Sequence, residues 1–343
     1  MFGTRKISAF GIGALAGALM LTAASTASAK SQIVTFDPAG SVGTYPWEAN
    51  EDGSIAGFWY DSTDQVTKGF IRAPDGTLTS FDHVDSKVTA AYSLNSKGIA
   101  TGYYSVPEGN HPAFIRQTDG SLNIFHAPGD DSGTFPIAIT NKGVIVGSYY
   151  DLYSIPHGFV RKPNGTIDTF DVKNDVYGTN AMAINTSGVI TGHYTDGNGL
   201  PHGFVRSATG KIKRFDAADG VIGTFAQSIN SDGVVAGYSV DPNYVMHGFT
   251  RAADGTVTAL DAPDGVNGTA ANSINDRGEI AGYYMDANFL AHGFVRNAQG
   301  KFKTFAVKGA TGTYPNNINN HGVVTGWYID STGNYRGFLR TGD

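Results

Sequence analysis

Histidines at a repeated position are the first residues of this sequence that could do chemistry. Four of them open a His-Gly-Phe segment six residues after an aspartate, in the pairs Asp151/His157, Asp196/His202, Asp241/His247 and Asp286/His292. A recurring imidazole suggests a metal site, but the equivalent pairs elsewhere are Asp61/Lys68 and Asp330/Arg336. Lys and Arg have no acceptor atom to offer a metal. The pattern therefore predicts opposite-charge pairs across a hairpin, each worth roughly 0.2–1 kcal/mol, and no metal site.

Glu48 and His193 are the candidates for acid–base catalysis, because each departs from what most repeats carry at its position. Glu48 replaces a small or polar residue, and His193 replaces an aromatic one. Either could transfer a proton, with a tyrosine as partner. A single carboxylate is weak support, since glycosidases usually use two, about 5–10 Å apart. The zinc-binding H-E-x-x-H, nucleophile-elbow, P-loop and dinucleotide motifs do not occur in the sequence.

Aromatic and amide side chains near the start of each repeat are the candidates for binding. Three residues after a recurring threonine the sequence varies most, and its aromatic and amide members are Trp47, Tyr92, Gln227, Asn272 and Asn316. The other three aromatic candidates are Trp59, Tyr60 and Trp327. Flat rings beside amides and carboxylates can bind a sugar by stacking and hydrogen bonding. The alternative is that these side chains pack between repeats.

All these residues belong to a unit of about 45 residues that occurs seven times, a spacing that indicates a repeat architecture. Every unit has a threonine, a Phe-x-Arg pair and two glycines four residues apart, of which the first are Gly53, Gly98, Gly143, Gly188, Gly233, Gly278 and Gly322. Each unit also has four short β-prone runs joined by turns such as Asp254-Gly255. Four-stranded units of this length are typical of β-propeller blades.

The two ends of the chain complement each other. The last unit stops after its third run, at Phe338-Leu339-Arg340, and a run resembling a fourth strand occurs at 33–37. Closure of the ring would leave no long strand edge exposed. We therefore predict an all-β, seven-bladed β-propeller of four-stranded antiparallel blades, with the last blade closed by the N-terminal strand. It would form a single domain over 30–343.

The recurring arginines and threonines are expected to have structural roles in every blade. The arginines (Arg72, Arg116, Arg161, Arg206, Arg251, Arg296 and Arg340) would cover the blade edge and pair with acceptors such as Asp82, Asp171 or Asp216. The threonine at the start of the first run is expected to cap backbone groups or to form a hydrogen bond between blades.

The combined pattern resembles a known family of bacterial extracellular repeats. The motif I-N-x-x-G-x-I-x-G-Y, followed by His-Gly-Phe and a final Phe-Asp, is similar to the repeat named for its His-Ala-Phe sequence. One unit has His111-Pro112-Ala113-Phe114, and the other histidine-bearing units have Gly in place of Ala. The resemblance covers 30–343 and implies secretion and a repeat fold. It implies no activity that could be assigned to named residues.

Composition and the N-terminus indicate export. Arg5 and Lys6 precede an apolar run over 7–21, and Ala27-Ser28-Ala29 resembles a cleavage site, so 1–29 is predicted to be a secretory signal peptide cleaved after Ala29. The mature chain would be periplasmic or extracellular, without a transmembrane segment. The absence of cysteine excludes a disulfide scaffold and thiol catalysis, and the net charge of −6 argues against a nucleic-acid partner. No cofactor is predicted. Calcium at Asp-rich connections such as Asp261/Asp264 is the alternative.

These features favour a secreted, non-catalytic binding propeller that acts as a monomer. Its ligand would be an extracellular glycan, a small molecule or an envelope protein, bound at the face with the longer loops. The first alternative is a secreted polysaccharide lyase or glycoside hydrolase with its site at the central mouth of the ring. The second is a purely structural surface protein. Propeller folds host many functions, so the fold does not decide between these.

Overall fold

The computed structural model describes residues 31–107, 109–217 and 222–342, and 28 β-strands are found in these ranges. The predicted signal peptide, 1–29, lies outside the described residues. In the described part of the chain no helix is long and apolar enough to cross a membrane.

The strands form seven antiparallel four-stranded blades, as predicted. Blade one contains β2 (Ser41–Ala49), β3 (Ile55–Asp61), β4 (Val66–Arg72) and β5 (Leu78–Phe81). Blade two contains β6 (Thr89–Leu94), β7 (Ala100–Tyr104), β8 (Ala113–Arg116) and β9 (Leu122–Phe125). Blade three contains β10 (Gly133–Ile139), β11 (Ile145–Tyr150), β12 (Pro156–Arg161) and β13 (Ile167–Phe170).

The later blades repeat this order. Blade four contains β14 (Thr179–Ile184), β15 (Ile190–Thr195), β16 (Pro201–Arg206) and β17 (Ile212–Phe215). Blade five contains β18 (Gly223–Ile229), β19 (Val235–Val240), β20 (Met246–Arg251) and β21 (Val257–Ala259). Blade six contains β22 (Thr269–Ile274), β23 (Ile280–Met285), β24 (Ala291–Arg296) and β25 (Phe302–Phe305). Blade seven contains β26 (Gly312–Ile318), β27 (Val324–Ile329), β28 (Tyr335–Thr341) and the N-terminal β1 (Gln32–Phe36).

The ring closes through its N-terminal strand, which confirms the prediction from the chain ends. Strand β1 pairs antiparallel with β28, from Gln32 opposite Thr341 to Phe36 opposite Gly337. Blade seven also contacts blade one directly, where the side-chain amide of Asn319 donates to the carbonyl oxygen of Asn50 at 2.8 Å. The first and last described strands therefore belong to the same sheet, which closes the ring.

Two glycines per blade answer different local requirements. Gly53 has φ +82° and ends the turn between the first and second strands, a conformation that favours glycine. Gly57 lies on β3 opposite Pro46, and a Cβ there would overlap the carbonyl oxygen of Tyr45 and the ring of Phe70. The first glycine thus permits the turn, and the second permits the close packing of strand against strand.

The blades pack through apolar side chains from the middle of each sheet. The phenylalanine of each Phe-x-Arg pair is almost completely buried, and these residues are Phe70, Phe114, Phe159, Phe204, Phe249, Phe294 and Phe338. The recurring threonine has the predicted capping role, as in Thr134, whose Oγ1 accepts the N–H of Ala127 at 2.9 Å. The same bond occurs in blades two to seven, where it joins the first strand to the connection before it.

The prediction that the recurring arginines pair with Asp171 or Asp216 is wrong, because both aspartates bond to histidines. The guanidinium of Arg206 lies 4.6 Å from the ring centroid of Phe170, on the outer strand of the preceding blade. Asp171, the next residue, instead bonds to His157 at 2.9 Å. Blade five has Leu260 where the other outer strands have phenylalanine, and Arg296 accordingly lies over Phe302 of its own blade, at 5.9 Å. The other six arginines make their cation–π contact across a blade junction and so stabilise it.

The ring has two unlike faces. The loop face carries the connections between blades and those between second and third strands. The turn face carries the tight turns between first and second strands and between third and fourth strands.

Candidate functional site

A central cavity of about 500 Å³ lies inside the ring of first strands. Its lining extends from the middle of these strands to the turns that follow them, so it opens on the turn face. The lengths of the connections predict a binding surface on the loop face. This cavity lies at the other face, because the turns that follow the first strands form its rim.

A β-bulge places the variable residue of each blade. In all seven first strands the register shifts at the third position after the threonine, as between Pro46 and Glu48 in β2. A bulge inserts one unpaired residue and re-aims its side chain. Of the candidates at this position, four line the cavity: Trp47, Gln227, Asn272 and Asn316. Tyr92 occupies the same position in blade two but does not line the cavity.

Asparagine side chains fasten the wall of the cavity from blade to blade. The amide of Asn50 donates to the carbonyl oxygen of Asn95 at 3.0 Å, and that of Asn185 donates to Asn230 at 2.9 Å. The same bond recurs from Asn95, Asn230, Asn275 and Asn319. Blade three has Thr140 at this position, so the bond from blade three to blade four is missing. Because these amides link neighbouring blades, they fix the shape of the opening.

Glu48 lies in the cavity wall and takes the place of an inter-blade serine. In blade two, the hydroxyl of Ser93 accepts the N–H of Ile139 at 3.0 Å. The carboxyl of Glu48 is bonded in the same way to the backbone of Leu94 and also to Ser93. Burial raises the pKa of Glu48 to about 7, although these two hydrogen bonds oppose the shift. At neutral pH the group can therefore both accept and donate a proton.

His193 does not join Glu48. It lies on β15, outside the cavity lining, and its ring meets that of Phe225 at 5.2 Å in an edge-on contact. Its Nδ1 is buried with no hydrogen-bond partner among the described residues. Burial lowers the pKa of His193 to about 4, so the ring is neutral at pH 7. The two catalytic candidates thus lie in different environments and form no pair.

Trp47, Tyr92 and Trp327 belong to a belt of aromatic rings that crosses the blade junctions. Trp47 meets Tyr92 at 4.8 Å between ring centroids, and Trp327 stacks on Tyr314 at 4.0 Å. Trp327 also meets Tyr45 of blade one at 6.1 Å. Packing between blades, the alternative considered from the sequence, describes Tyr92 and Trp327, since neither lines the cavity. Trp47 belongs to both the belt and the cavity wall.

Trp59 and Tyr60 lie away from the cavity. Trp59 is 5% exposed in the core of blade one, and its indole N–H donates to the hydroxyl of Ser80 on the outer strand at 2.9 Å. Tyr60 is the next residue on β3 and is 39% exposed. The alternation of a β-strand explains why the two neighbours differ in burial.

The polar candidates form one arc of the cavity wall. Asn272 donates to the carbonyl oxygen of Pro315 at 2.8 Å, and Asn316 donates to that of Pro46 at 3.0 Å. Gln227 occupies the same bulge position, and no hydrogen bond from its side chain is found in the described part of the chain. Its amide is therefore the one in this arc that is most available to a ligand.

The predicted charge pairs on the loop face are confirmed. Lys68 bonds to Asp61 at 2.9 Å, Arg336 to Asp330 at 3.0 Å and His292 to Asp286 at 3.0 Å. In three blades the histidine also bonds to a second carboxylate, which the spacing did not predict. His157, His202 and His247 each bond through Nδ1 to the aspartate that follows the outer strand, at 2.9, 2.7 and 3.0 Å. Among the described residues no group of three or more His, Asp or Glu side chains is arranged to hold a metal.

The asparagines that link the blades and two tyrosines, Tyr238 and Tyr283, also line the cavity, and none of them is a site residue predicted from the sequence. An asparagine ends the first run of every unit except the third, which has Thr140. Its recurrence in six of seven units was the available signal. The two tyrosines occupy the position after the second glycine, where His193 had drawn attention.

The cavity has a charge of one sign. Its lining includes the carboxylates of Glu48, Glu51 and Asp276, and no Lys, Arg or His occurs among the described lining residues. Glu51 and Asp276 are engaged at the rim, where Glu51 accepts the N–H of Asn320 at 3.1 Å and Asp276 accepts that of Ser231 at 2.8 Å. The cavity therefore disfavours anions and accommodates neutral or cationic molecules.

Solved structures with a similar fold were found, whereas no protein-family model and no curated protein matches the chain. A streptogramin B lyase is 16% identical, with a TM-score of 0.62 over 91% of this chain and 98% of that one. A virginiamycin B lyase from Staphylococcus aureus is 13% identical, with a TM-score of 0.58 over 90% and 99% of the two chains. An acylaminoacyl peptidase from Pyrococcus horikoshii is 11% identical, with a TM-score of 0.60 over 88% of this chain and 52% of that one.

These likenesses support the propeller fold and nothing more specific. At such low identity the activity of a similar structure does not carry over, because one fold hosts many unrelated sites.

Proposed function

We propose that this chain is an exported, non-catalytic binding protein that holds a small neutral or cationic polar ligand, such as a sugar, in its central cavity. The observation that carries the proposal is the cavity itself, which combines aromatic rings, amides and carboxylates and has no cationic side chain in its described lining. Its volume of about 500 Å³ lies within the usual range for small-molecule sites.

Three side chains of the cavity wall would contact the ligand. Trp47 offers an apolar face, the side chain of Gln227 offers a donor and an acceptor, and Glu48 offers an acceptor when ionised. Sugars are recognised by this combination of stacking and directed hydrogen bonds. The hydrogen bonds of the asparagines between blades support the proposal, because a cavity wall that is already fixed loses little conformational entropy when a ligand binds.

A glycan array and calorimetric titration of the mature chain with neutral sugars and with primary and quaternary amines test this proposal. We expect binding of at least one class, weakened about tenfold by Trp47→Ala. Tyr60→Ala, which removes an exposed ring outside the cavity, is the matched control and should leave the affinity unchanged. Equal affinities in the two variants would overturn the assignment of the cavity.

Catalysis is the second candidate, and the raised pKa of Glu48, about 7, favours it. A carboxyl that titrates near the working pH and faces a cavity suits a general acid or base. The reaction would be that of a polysaccharide lyase or hydrolase. Product analysis of every ligand found above, with Glu48→Gln as the inactive comparison, separates the two candidates. Turnover that Glu48→Gln abolishes would replace the binding proposal.

Export and membership of the His-Ala-Phe repeat family are part of the same proposal. The N-terminal pattern and the repeat motifs support both. Mass spectrometry of the protein recovered outside the cytoplasm of a bacterial host should give a chain that begins at Lys30. An intact N-terminus in the cytoplasmic fraction would contradict export.

A further inference from the structure

Exposed apolar side chains are concentrated on one part of the loop face. We call six of them the apolar crown: Leu152, Tyr153, Tyr177, Tyr244, Phe289 and Leu290. Tyr153, Tyr244 and Phe289 are 79, 81 and 71% exposed. All six lie in connections of blades three to six. Scattered exposed hydrophobic residues are ordinary, whereas large apolar side chains gathered on one face of four consecutive blades indicate an interaction surface.

The three most exposed aromatic residues lie at the tips of one type of hairpin turn. In this turn an aspartate side chain accepts the N–H groups two and four residues later, as Asp241 does from Asn243 at 2.8 Å and from Val245 at 2.9 Å. Blades three to seven all use it. The turn is therefore a fixed scaffold, and its tip residues are free to vary.

Two crown residues occupy a backbone conformation that disfavours them. Tyr244 has φ +65° and Phe289 has φ +60°. The equivalent residues in blades four and seven are Gly199 and Gly333, which adopt the same region without a Cβ penalty. A bulky residue at positive φ is an outlier that costs stability. Because the turn forms with glycine in two other blades, the aromatic side chains are not needed for folding.

The crown is surrounded by negative charge. Asp131 and Asp264 are exposed in the neighbouring connections, and Asp171 and Asp261 are also exposed but bond to His157 and His247. In the described part of the connections of blades three to six on this face, the lysines are Lys173 and, in the connection that leaves blade six, Lys308, and no arginine occurs. The aspartates of the tip turns are already bonded within the turn. The exposed aspartates would repel an anionic bilayer.

We propose that the apolar crown is a docking surface for a protein partner whose own surface carries apolar side chains among lysines and arginines. Aliphatic Leu152 and Leu290 beside aromatic tips suit a protein interface, where aromatic side chains serve as anchors. The acidic surroundings would attract a basic partner and repel a second copy of this chain. This surface lies on the face opposite the cavity opening, so a ligand and the partner could be bound together.

Binding of a short amphipathic helical peptide of leucine and lysine to the mature chain tests the proposal. We expect binding that weakens with added salt. We expect the same peptide with glutamate in place of lysine to bind about tenfold more weakly. The variant Tyr153→Ser/Tyr244→Gly/Phe289→Gly should lose affinity for the lysine peptide about tenfold. Its melting temperature should not fall, because both glycines relieve strained positions.

Val84→Ser is the matched control, since Val84 is 80% exposed on the loop face but lies outside blades three to six. It should leave the affinity for the peptide unchanged. No binding of the lysine peptide, or equal binding by the crown variant, would overturn the proposal. The native chain could instead co-sediment with phosphatidylcholine vesicles. If the crown variant lost this co-sedimentation but still bound the peptide, a membrane would replace the protein partner in the proposal.

Discussion

At the scale of single residues, Glu48 is the clearest departure from the repeat. It keeps the inter-blade bond that a serine makes elsewhere, but it adds an ionisable group to a cavity wall. A serine would hold the blades together equally well. The carboxyl therefore introduces a chemical property that the architecture does not require.

Glu48 should make stability depend on pH between about 4.5 and 7. Its pKa is raised from 4.5 to about 7 by burial, so the folded protein holds a proton that the unfolded chain has released in this interval. Stability should fall as pH rises through it, on the order of 3 kcal/mol at about 1.4 kcal/mol per unit. Urea denaturation at several pH values should show this slope in the native chain and not in Glu48→Gln. Parallel curves would show that Glu48 ionises freely.

The sequence shows that Glu48 is unusual, but it does not show which residues of the next blade surround its carboxyl. The residue stands out because the other six units have small or polar side chains at its position. Its bond to the backbone of Leu94 depends on how two blades face each other, which no spacing within one repeat records. His193 is equally unusual in sequence, but it packs against Phe225 and does not line the cavity. An unusual residue in a repeat therefore need not belong to a site.

At the scale of strands and hairpins, the His–Asp contacts fasten the third strand to its neighbours. His247 bonds to Asp261 at 3.0 Å and approaches Asp241 at 3.6 Å, and its ring is 40% exposed. The hairpin partner was predictable from spacing, because both residues flank one short loop. The second partner follows the outer strand, and its position depends on the register of the sheet.

Replacing His247 by glutamine should remove a pH-dependent part of the stability. The hydrogen bond to Asp261 raises the pKa of His247, although burial opposes it. A raised pKa stabilises the fold fully below the unfolded value of about 6.5, and this contribution is lost as pH rises through the folded value. The difference in melting temperature between the native chain and His247→Gln should therefore shrink from pH 6 to pH 8.

His321→Gln is the control for that measurement, since His321 is 69% exposed and 3.9 Å from Glu51. Its melting temperature should follow the native curve throughout. A gap for His247→Gln that stays constant with pH would mean that the ring contributes by packing on its neighbours rather than by charge.

The arginines show where sequence reasoning at this scale fails. Their spacing correctly placed each one on the third strand. The predicted partner of the arginine was wrong, because two residues adjacent in sequence contact different neighbours. Asp171 bonds to a histidine of its own blade, whereas Phe170 is covered by an arginine of the next blade. Only the packing of one blade on the next separates these roles.

At the scale of the whole molecule, closure of the ring is the feature that the sequence predicted most completely. Seven units, a missing fourth run at one end and a matching run at the other leave one arrangement. The depth and direction of the cavity could not be predicted, because they depend on bulges that re-aim one residue in each first strand.

Removing β1 should destabilise the entire ring rather than one blade. Without it, the edge of β28 is exposed and Arg72 loses the ring of Phe36, which lies 4.9 Å from its guanidinium. A chain that begins at residue 38 should melt about 10 °C or more below one that begins at residue 31, since each kcal/mol shifts the melting temperature of a large domain by a few degrees. Equal melting temperatures would contradict closure by β1.

The central claim is that ligand binds in the cavity on the turn face, and site-specific blocking tests it most directly. The chain has no cysteine, so Gln227→Cys in the cavity wall and Thr79→Cys on an outer strand can each be labelled alone with a bulky maleimide. For a ligand found by titration, labelled Gln227→Cys should lose affinity by more than about tenfold, whereas labelled Thr79→Cys should bind as before. Undiminished binding to labelled Gln227→Cys would contradict the account.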